Sequence, residues 1–283
     1  MTVFRKIANN LVVALIGPIH VARDNQVLNS GLLASPLRQF TRMLNFSYRK
    51  TLQTSAGFQL SPYGVWLKVR QDDTFTYCMR GEYGYRYAQH LRRIDKPFTF
   101  LDIGANIGLY SLIALENSNL QTVHSFDPDS DSIGYLQANL EHAQSKKWTL
   151  HPVAVSTSSG QMTLNKKRGH SGASTLEHPT FESEAQETIN VVNHEYLNAN
   201  INSNGTNIVV KIDVEGHELS VLTALAKSNL MSDITEIFAE FDAEMSNTQL
   251  TEDWFDSHGF RKAFHIGDNS HWDALYVKTS NKE

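Results

Sequence analysis

Residues 98–108 read F-T-F-L-D-I-G-A-N-I-G, and this stretch decides the fold. An apolar run ends in the carboxylate Asp102, and Gly104 and Gly108 follow it. After Gly108 the apolar residues of L-Y-S-L-I-A-L recur at helical spacing instead of strand spacing. Glycine suits the turn between them because it adopts positive φ and lets a ligand approach the backbone. The stretch therefore predicts a strand, a tight turn and a helix, with a nucleotide-like ligand at the carboxyl end of the strand.

The spacing within this loop indicates which ligand it suits. The dinucleotide fingerprint G-x-G-x-x-G lets the backbone reach a pyrophosphate, whereas this loop spaces Gly104, Asn106 and Gly108 behind Asp102. Asp102 at the mouth of the loop would repel a pyrophosphate and would pair with an ammonium group. S-adenosylmethionine (SAM) carries an amino acid and a sulfonium cation and no phosphate, so D-x-G-x-N-x-G favours SAM over NAD. The alternative is an ordinary strand-to-helix turn with an acidic capping residue.

A second carboxylate follows the loop in the next strand. Residues 122–128 read T-V-H-S-F-D-P, a short strand that ends at Asp127 and is stopped by Pro128. In nucleotide-binding α/β folds an acidic residue about 20 positions beyond the glycine loop accepts hydrogen bonds from ribose hydroxyls. We therefore predict that Asp127 binds a ribose. A turn or a helix cap is the alternative function of this carboxylate.

Composition bounds the class of protein. The chain has 283 residues, with 25 Lys and Arg against 30 Asp and Glu, and a formal net charge of −5. This balance argues against a general polyanion binder, so we predict no nucleic-acid partner. The single cysteine, Cys78, excludes an intramolecular disulfide and a thiolate-rich metal site and favours a reducing, cytoplasmic location. The length suits one large α/β domain with an appendage.

The first part of the chain differs from the rest. Residues 1–60 predict a helical N-terminal extension, and residues 61–283 predict the ligand-binding α/β domain. Within residues 1–23 a basic start precedes an apolar run that is too short to span a bilayer and is broken by Gly17 and Pro18. A helix packed on the domain is favoured, and a peripheral membrane-surface helix is the alternative.

Strands and helices alternate along the α/β domain. This order predicts a doubly wound, mostly parallel sheet with helices on both faces, and an antiparallel hairpin at the C-terminal end. Beyond the two strands already described, the central strands are expected at residues 148–155, 207–213 and 235–241. The hairpin is expected at residues 261–265 and 274–278, short strands at 65–69 and 74–78, and a helix at 82–94.

A polar excursion separates the third and fourth central strands at residues 156–206. It carries the basic triplet at residues 166–168 and then His170. A connection this long in a compact domain is usually functional or disordered. Because it follows a central strand, it can fold over the carboxyl edge of the sheet. We predict a lid that binds the acceptor substrate, with a solvated loop as the alternative.

The fourth strand ends in a second charged segment, K-I-D-V-E-G-H-E. Alternation along a strand puts Lys211, Asp213 and Glu215 on one face, and three charges there would be costly inside a plain core. The fifth strand adds Glu240 and Asp242. We predict that these carboxylates line the ligand crevice, where they position an acceptor and take up its proton. A structural network of the lysine with carboxylates is the alternative.

Taken together, these motifs resemble the FkbM family of SAM-dependent methyltransferases. The resemblance covers residues 82–278 and is carried by F-L-D-I-G-A-N-I-G-L-Y-S-L, S-F-D-P, H-P-V-A-V-S and, most specifically, K-I-D-V-E-G-H-E-L-S-V-L. It implies a Rossmann-like class I methyltransferase fold and SAM as the cofactor. The family usually carries Glu where this chain has Asp127, whose shorter side chain must reach further to a ribose.

The predicted site combines these motifs with the resemblance. The cofactor-binding residues are Asp102, Gly104, Ala105, Asn106, Gly108, Asp127 and Ala154. The catalytic residues are Asp213, Glu240 and His217, and the substrate-binding residues are Glu215 and His170. No metal site is predicted, because the twelve histidines form no H-E-x-x-H array.

The resemblance also implies the reaction, O-methylation of a hydroxyl on a sugar, a glycolipid or a secondary metabolite by in-line displacement. The protein then supplies orientation and desolvation and a group that accepts the hydroxyl proton, for which Asp213 is the first candidate. Two other classes stay open, a dinucleotide-dependent oxidoreductase or epimerase and a noncatalytic interaction protein. The acceptor is expected to be a small molecule or a glycan. The sequence predicts neither its identity nor an oligomeric state.

Overall fold

The computed structural model describes residues 56–279 except 168, 178–184, 245–246 and 269, together with Ala14, Gly17 and His20. Ala14, Gly17 and His20 are helical, and His20 is buried. A Cβ added at Gly81 would lie 2.5 Å from the His20 ring, so this ring packs against the domain. The rest of the predicted extension up to residue 55, and with it membrane contact through residues 1–23, lies outside the described residues.

The elements of the domain are labelled in chain order from residue 56. The helices are α1 (Asp73–Arg80), α2 (Tyr85–Arg93), α3 (Leu109–Leu115), α4 (Ser130–His142), α5 (His194–Asn200), α6 (Glu218–Lys227) and α7 (Thr248–Ser257). The strands are β1 (Phe58–Leu60), β2 (Trp66–Lys68), β3 (Phe98–Ile103), β4 (Leu120–Phe126), β5 (Trp148–His151), β6 (Ala154–Val155), β7 (Gly160–Lys166), β8 (Ala185–Val192), β9 (Asn207–Ile212), β10 (Ile234–Asp242), β11 (Phe260–Gly267) and β12 (His271–Lys278). Within the described part of the chain, no helix is both long enough and apolar enough to cross a membrane.

Seven strands form the main sheet in the order β11-β12-β10-β9-β3-β4-β5. Neighbours from β10 to β5 run parallel, and β12 pairs antiparallel with both β10 and β11. The chain builds outward from β3 in both directions, which leaves a crevice at the carboxyl ends of the strands beside β3. The predicted doubly wound, mostly parallel sheet with an antiparallel C-terminal hairpin is confirmed.

The core consists of two apolar layers, one on each face of this sheet. Successive side chains of a strand point to opposite faces, so Val209 of β9 belongs to one layer and Val210 to the other. The first layer contains residues of α2, α3 and α4, and the second contains residues of α5, α6 and α7. Because both faces are covered, the central strands read as nearly continuous apolar runs.

The predicted strand at residues 74–78 is wrong, because this segment is helix α1. The side chain of Asp72 accepts a hydrogen bond of 2.8 Å from the backbone N–H of Phe75 and so caps the helix. Gly81 ends it in the left-handed region, with φ 69°. Phe75, Cys78 and Met79 are buried at helical spacing. The aromatic and β-branched residues of the segment favour a strand, but the two caps decide for the helix.

The predicted central strand at residues 148–155 is two strands. β5 ends at His151 in the main sheet, whereas β6 pairs with β8 in a separate three-stranded sheet of order β6-β8-β7. The polar excursion at residues 156–206 contributes β7, β8 and α5 to this part of the molecule. The excursion is therefore folded, and its segment 169–177 passes along the crevice.

Candidate functional site

A cavity of about 720 Å³ lies at the carboxyl ends of β3, β4, β9 and β10, within the usual volume of a small-molecule site. We call residues 104–108 the glycine loop and residues 213–217 the acidic loop. Segments that contribute to the lining are the glycine loop, residues 127–129, residues 153–155, residues 170–174 and the acidic loop. The crevice where the strand order reverses is thus a partly open chamber built by several separate parts of the chain.

The two glycines of the glycine loop are required by packing within the protein. Gly104 and Gly108 have φ of 76° and 84°, a region that favours glycine. A Cβ on Gly104 would lie 1.7 Å from the carbonyl oxygen of Asp213, and one on Gly108 would lie 2.5 Å from Cδ1 of Leu136. The close approach expected of a ligand is therefore made by the acidic loop and by helix α4.

Asp127 lies in the lining of the cavity, directly after β4. Its Oδ2 accepts a 2.7 Å hydrogen bond from the backbone N–H of Asn106, and its Oδ1 accepts one of 3.0 Å from that of Asp129. Burial raises the pKa of Asp127 to about 7. Asn106 itself has φ 50°, which is uncommon for a residue other than glycine. Asp127, the residue predicted to bind a ribose, is thus joined to the glycine loop by a direct hydrogen bond.

Asp102 lies beneath the glycine loop and not at its mouth. It is 1% exposed and is absent from the lining of the cavity. Its Oδ2 accepts a 2.5 Å hydrogen bond from Ser111 Oγ, and its Oδ1 is 3.9 Å from Lys211 Nζ. Burial raises the pKa of Asp102. The expected direct pair of Asp102 with a ligand ammonium group is replaced by an internal interaction with Lys211.

Lys211 connects the two loops of the site, in the network with carboxylates that the sequence offered as the alternative for this segment. Its ammonium donates a 2.7 Å hydrogen bond to the carbonyl of Gly104 and lies 3.0 Å from Asp213 Oδ2. Burial acts to lower the pKa of Lys211, but the carboxylates of Asp213 and Asp102 hold it above its ordinary value. The side chain is therefore a buried cation between the glycine loop and the acidic loop.

Three predicted carboxylates come together where the ends of β9 and β10 line the cavity. Oxygens of Asp213, Glu215 and Glu240 all lie within 4.8 Å of one another, a spacing that a cation can bridge. Glu240 Oε1 is also 3.0 Å from His271 Nε2. Glu215 has φ 52°. The cluster forms as the sequence predicted, with Lys211 supplying a positive charge to one side of it.

These carboxylates share their protons unequally. Burial and then the charge of Asp213 raise the pKa of Glu240 well above its ordinary value. Burial also acts to raise the pKa of Asp213, but Lys211 outweighs it and the pKa is lowered. Of the two, Asp213 is therefore the carboxyl that ionises first, and Glu240 is the one that keeps its proton to higher pH.

His217, a predicted catalytic residue, has both ring nitrogens occupied. Its Nδ1 lies 2.6 Å from Oε1 of Glu177, and its Nε2 lies 2.9 Å from Oγ of Ser156. The residue is buried although it reaches the cavity lining. With both nitrogens engaged, the imidazole joins neighbouring segments and is poorly placed to take a proton from an acceptor.

The remaining predicted residues line the cavity. Ala154 does so from β6, and His170 does so from the segment that follows the basic triplet. The ring centroids of His170 and Tyr77 lie 5.8 Å apart. Tyr83 and Tyr110 also line it and were missed. Tyr110 sits within the helix motif L-Y-S-L, where it resembled a core residue, and Tyr83 lies outside every motif. Aromatic lining residues of this kind carry no local sequence signal.

The chain matches a family model described as the methyltransferase FkbM domain over residues 102–262, more than half of its length. It is similar to the hexuronic acid methyltransferase AglP of Haloferax volcanii, with 26% identity over 164 residues that are 57% of this chain and 63% of that protein. The match thus spans less than two thirds of the length of this relative.

Two solved structures are also similar. Methyltransferase FkbM from Methylobacillus flagellatus KT is 16% identical, with 86% of this chain and 60% of that chain covered and a TM-score of 0.46. TrmK of M. capricolum, solved in complex with S-adenosyl-homocysteine (SAH), is 10% identical, with coverage of 70% and 71% and a TM-score of 0.41.

Proposed function

The chain belongs to the FkbM methyltransferase family, and on that premise we propose that it transfers the methyl group of SAM to a hydroxyl of a sugar, a glycolipid or a related metabolite. One observation carries the proposal. A single cavity contains the glycine loop and Asp127 on one side and the carboxylates Asp213, Glu215 and Glu240 on the other. A donor site and an acceptor site in one chamber are what direct methyl transfer requires.

The residues on the donor side fit SAM. Asp127 has one backbone donor on each carboxylate oxygen, and a carboxylate offers about four acceptor positions, so lone pairs remain for the two ribose hydroxyls. The backbone of Gly104 to Asn106 would hold the methionine part, and Ala154 the adenine side. SAM supplies an electrophilic methyl group on a sulfonium. Asp102 acts indirectly in this arrangement, because it faces Lys211, which holds the carbonyl of Gly104.

The acceptor side orients the hydroxyl and receives its proton. Asp213 is ionised and lies between Lys211 and Glu240, so it accepts a hydrogen bond from the acceptor hydroxyl and fixes the direction of attack. Its lowered pKa makes it a weak base. With SAM bound, Asp213 would therefore take up the hydroxyl proton late in the transfer. Orientation and exclusion of water contribute most of the rate enhancement.

A sugar acceptor is supported by the similarity to a hexuronic acid methyltransferase. The carboxylates of this cavity indicate which charge the acceptor sugar carries. Asp213, Asp242 and Asp273 contribute to its lining together with Glu215 and Glu240, whose pKa values are raised by burial so that their neutral forms are favoured. Like charges a few ångströms apart repel by several kcal/mol at the effective dielectric constant of a protein site. We therefore expect a sugar whose reacting region is neutral or carries an amine, and not a free uronate.

The test is methyl transfer from SAM with an isotope-labelled methyl group. The purified protein is incubated with glycans and amino sugars, and the products are analysed by NMR, which distinguishes a methyl on oxygen from one on nitrogen. The proposal expects O-methyl products and SAH in equal amounts. N-methyl products would change the acceptor atom, and SAM binding without any transfer would favour a noncatalytic protein.

A further inference from the structure

The segment 169–177, which we call the strap, crosses the cavity between helix α1 and the acidic loop. At its start the backbone N–H of Asp73 donates a 2.9 Å hydrogen bond to the carbonyl of Gly169. The backbone N–H of Gly172 donates one of 2.9 Å to Thr74 Oγ1. Residues 170–174 line the cavity between these contacts and the acidic loop. The strap is therefore one wall of the chamber.

One strap residue reaches the glycine loop. The hydroxyl of Ser171 lies 3.0 Å from Asp72 Oδ2, 3.1 Å from Thr74 Oγ1 and 3.2 Å from Asn106 Oδ1. Asn106 is the residue with positive φ whose N–H binds Asp127. Ser171 thus links the strap to the strained residue of the donor site.

The other end of the strap is fixed more firmly. Thr175 is fully buried, forms two backbone hydrogen bonds with Asn165 of β7, and donates from Oγ1 to the carbonyl of Glu215 at 2.6 Å. Glu177 then pairs with the buried His217. These contacts anchor residues 175–177 to the body of the domain.

The two ends differ in the cost of detaching them. Residues 170–174 are half-buried, and they contact α1 and the glycine loop through hydrogen bonds, each of which contributes about 1 kcal/mol net, and through the edge-on contact of His170 with Tyr77. Residues 170–174 can therefore separate from α1 while Thr175 stays in place.

We propose that residues 169–174 are a gate on the donor site, hinged at Thr175 and latched by Ser171, which is a positioning residue for the reaction. The open gate admits SAM and releases SAH, and the closed gate holds Asn106 in its positive-φ conformation. The inference rests on the proposed function for the identity of the donor. It adds a residue outside the family motifs to the set that controls donor exchange.

The first test locks the gate. A Cβ added at Gly172 would lie 3.2 Å from Thr74 Oγ1, a separation that a disulfide between cysteines at these positions bridges. The native Cys78 is buried and burial raises the pKa of its thiol, so it stays out of the exchange. In the Gly172→Cys/Thr74→Cys variant, oxidised before SAM is added, SAM association measured by stopped flow should slow at least about 100-fold and recover on reduction. Equal association rates in the two redox states would overturn the gate.

The second test releases the latch and does not depend on disulfide formation. Ser171→Ala should raise the SAM dissociation rate about tenfold, the effect of one lost hydrogen bond of about 1.4 kcal/mol, without a change in melting temperature. Ser171→Thr, which keeps the hydroxyl, should restore the slow rate, and the exposed Ser158→Ala is the matched control. Unchanged dissociation in Ser171→Ala would contradict the latch. If the wild-type protein binds no SAM in calorimetry, both the gate and the proposed function are wrong. SAM binding with unaltered exchange rates removes only the gate.

Discussion

At the scale of residues, the site is controlled by buried charges that compensate one another. Lys211 lies between Asp102 and Asp213 and also holds the carbonyl of Gly104. A buried ion pair is weak evidence for net stability, but removing one partner leaves the other charge uncompensated. The single lysine therefore connects the stability of the domain with the shape of the donor site.

Replacing this lysine tests the connection. Lys211→Met leaves the buried Asp102 and the half-buried Asp213 without their cation, so we expect a loss of about 3–5 kcal/mol in the free energy of unfolding. SAM affinity should also fall, because the glycine loop loses a hydrogen bond. Urea denaturation and calorimetry measure the two effects. The exposed Lys227→Met on α6 is the control, and a Lys211→Met protein with wild-type stability would contradict the account.

The raised pKa of Asp127 predicts how the affinity for SAM depends on pH. Burial raises its pKa from 3.8 to about 7, so the carboxylate is charged above this pH and neutral below it. Hydroxyl donors bind a charged carboxylate more strongly than a neutral one. SAM affinity should therefore decrease as the pH falls through about 7, and Asp127→Asn should flatten that part of the profile. An identical slope in wild type and variant would assign the titration to another group.

At the scale of elements, the glycine loop and the acidic loop contact each other because neighbouring strands place their backbones side by side. The glycine loop after β3 touches the acidic loop after β9 so closely that a Cβ on Gly104 would meet the carbonyl of Asp213. β3 and β9 are parallel neighbours whose carboxyl ends coincide. The distance between the glycine loop and the acidic loop is thus set by the register of β3 against β9.

A matched pair of glycine variants tests this contact. Gly104→Ala should lower the free energy of unfolding by more than about 1 kcal/mol, because φ is positive and the added Cβ has no space. It should also weaken SAM binding strongly. Gly134→Ala, in an exposed position of α4 where an added Cβ meets nothing within 4 Å, should stabilise by about 0.5–1 kcal/mol. Equal stability of the two variants would refute the close approach.

Elements differ in how far the sequence alone predicts them. The strands β3 and β9 are predictable because burial on both faces leaves continuous apolar runs ending in acidic residues. Helix α1 is misread as a strand because its aromatic and β-branched residues favour a strand, whereas its caps, Asp72 and Gly81, are short signals. The end of β5 at His151 is missed because β6 pairs with a strand more than thirty residues further along the chain.

At the scale of the whole molecule, the proposed donor and acceptor sides differ in how far apart in the sequence their residues lie. The donor side comes from one strand–loop–helix unit and the next strand, so Asp127 and the glycine loop are predictable by position. The acceptor side combines β9, β10, β12 and the connection before α2. Pairs such as Glu240 with His271 depend on the register of β10 against β12, and the sequence carries no local signal for them.

The acidity of the assembled cavity predicts acceptor selectivity. Two otherwise identical glycans are compared, one with a hydroxymethyl group and one with a carboxylate group near the reacting hydroxyl. The neutral glycan should have a kcat/KM at least about tenfold higher, because the cavity repels the carboxylate. SAH release measures the ratio. Glu240→Gln should leave the ratio nearly unchanged if Glu240 is already protonated, and Asp242→Asn should reduce it. A preference for the uronate would show that the acidic side is neutralised when the acceptor binds.

Binding of SAM in the cavity underlies the proposed function, and calorimetry measures it without an acceptor. Wild-type protein and Asp127→Ala are titrated in parallel with SAM, SAH and NAD. We expect SAM and SAH to bind to one site and NAD to produce no heat of binding. Asp127→Ala should weaken the binding of SAM and SAH at least about tenfold through loss of charge-assisted hydrogen bonds. Binding of NAD without SAM, or SAM affinity unaffected by the variant, would contradict it.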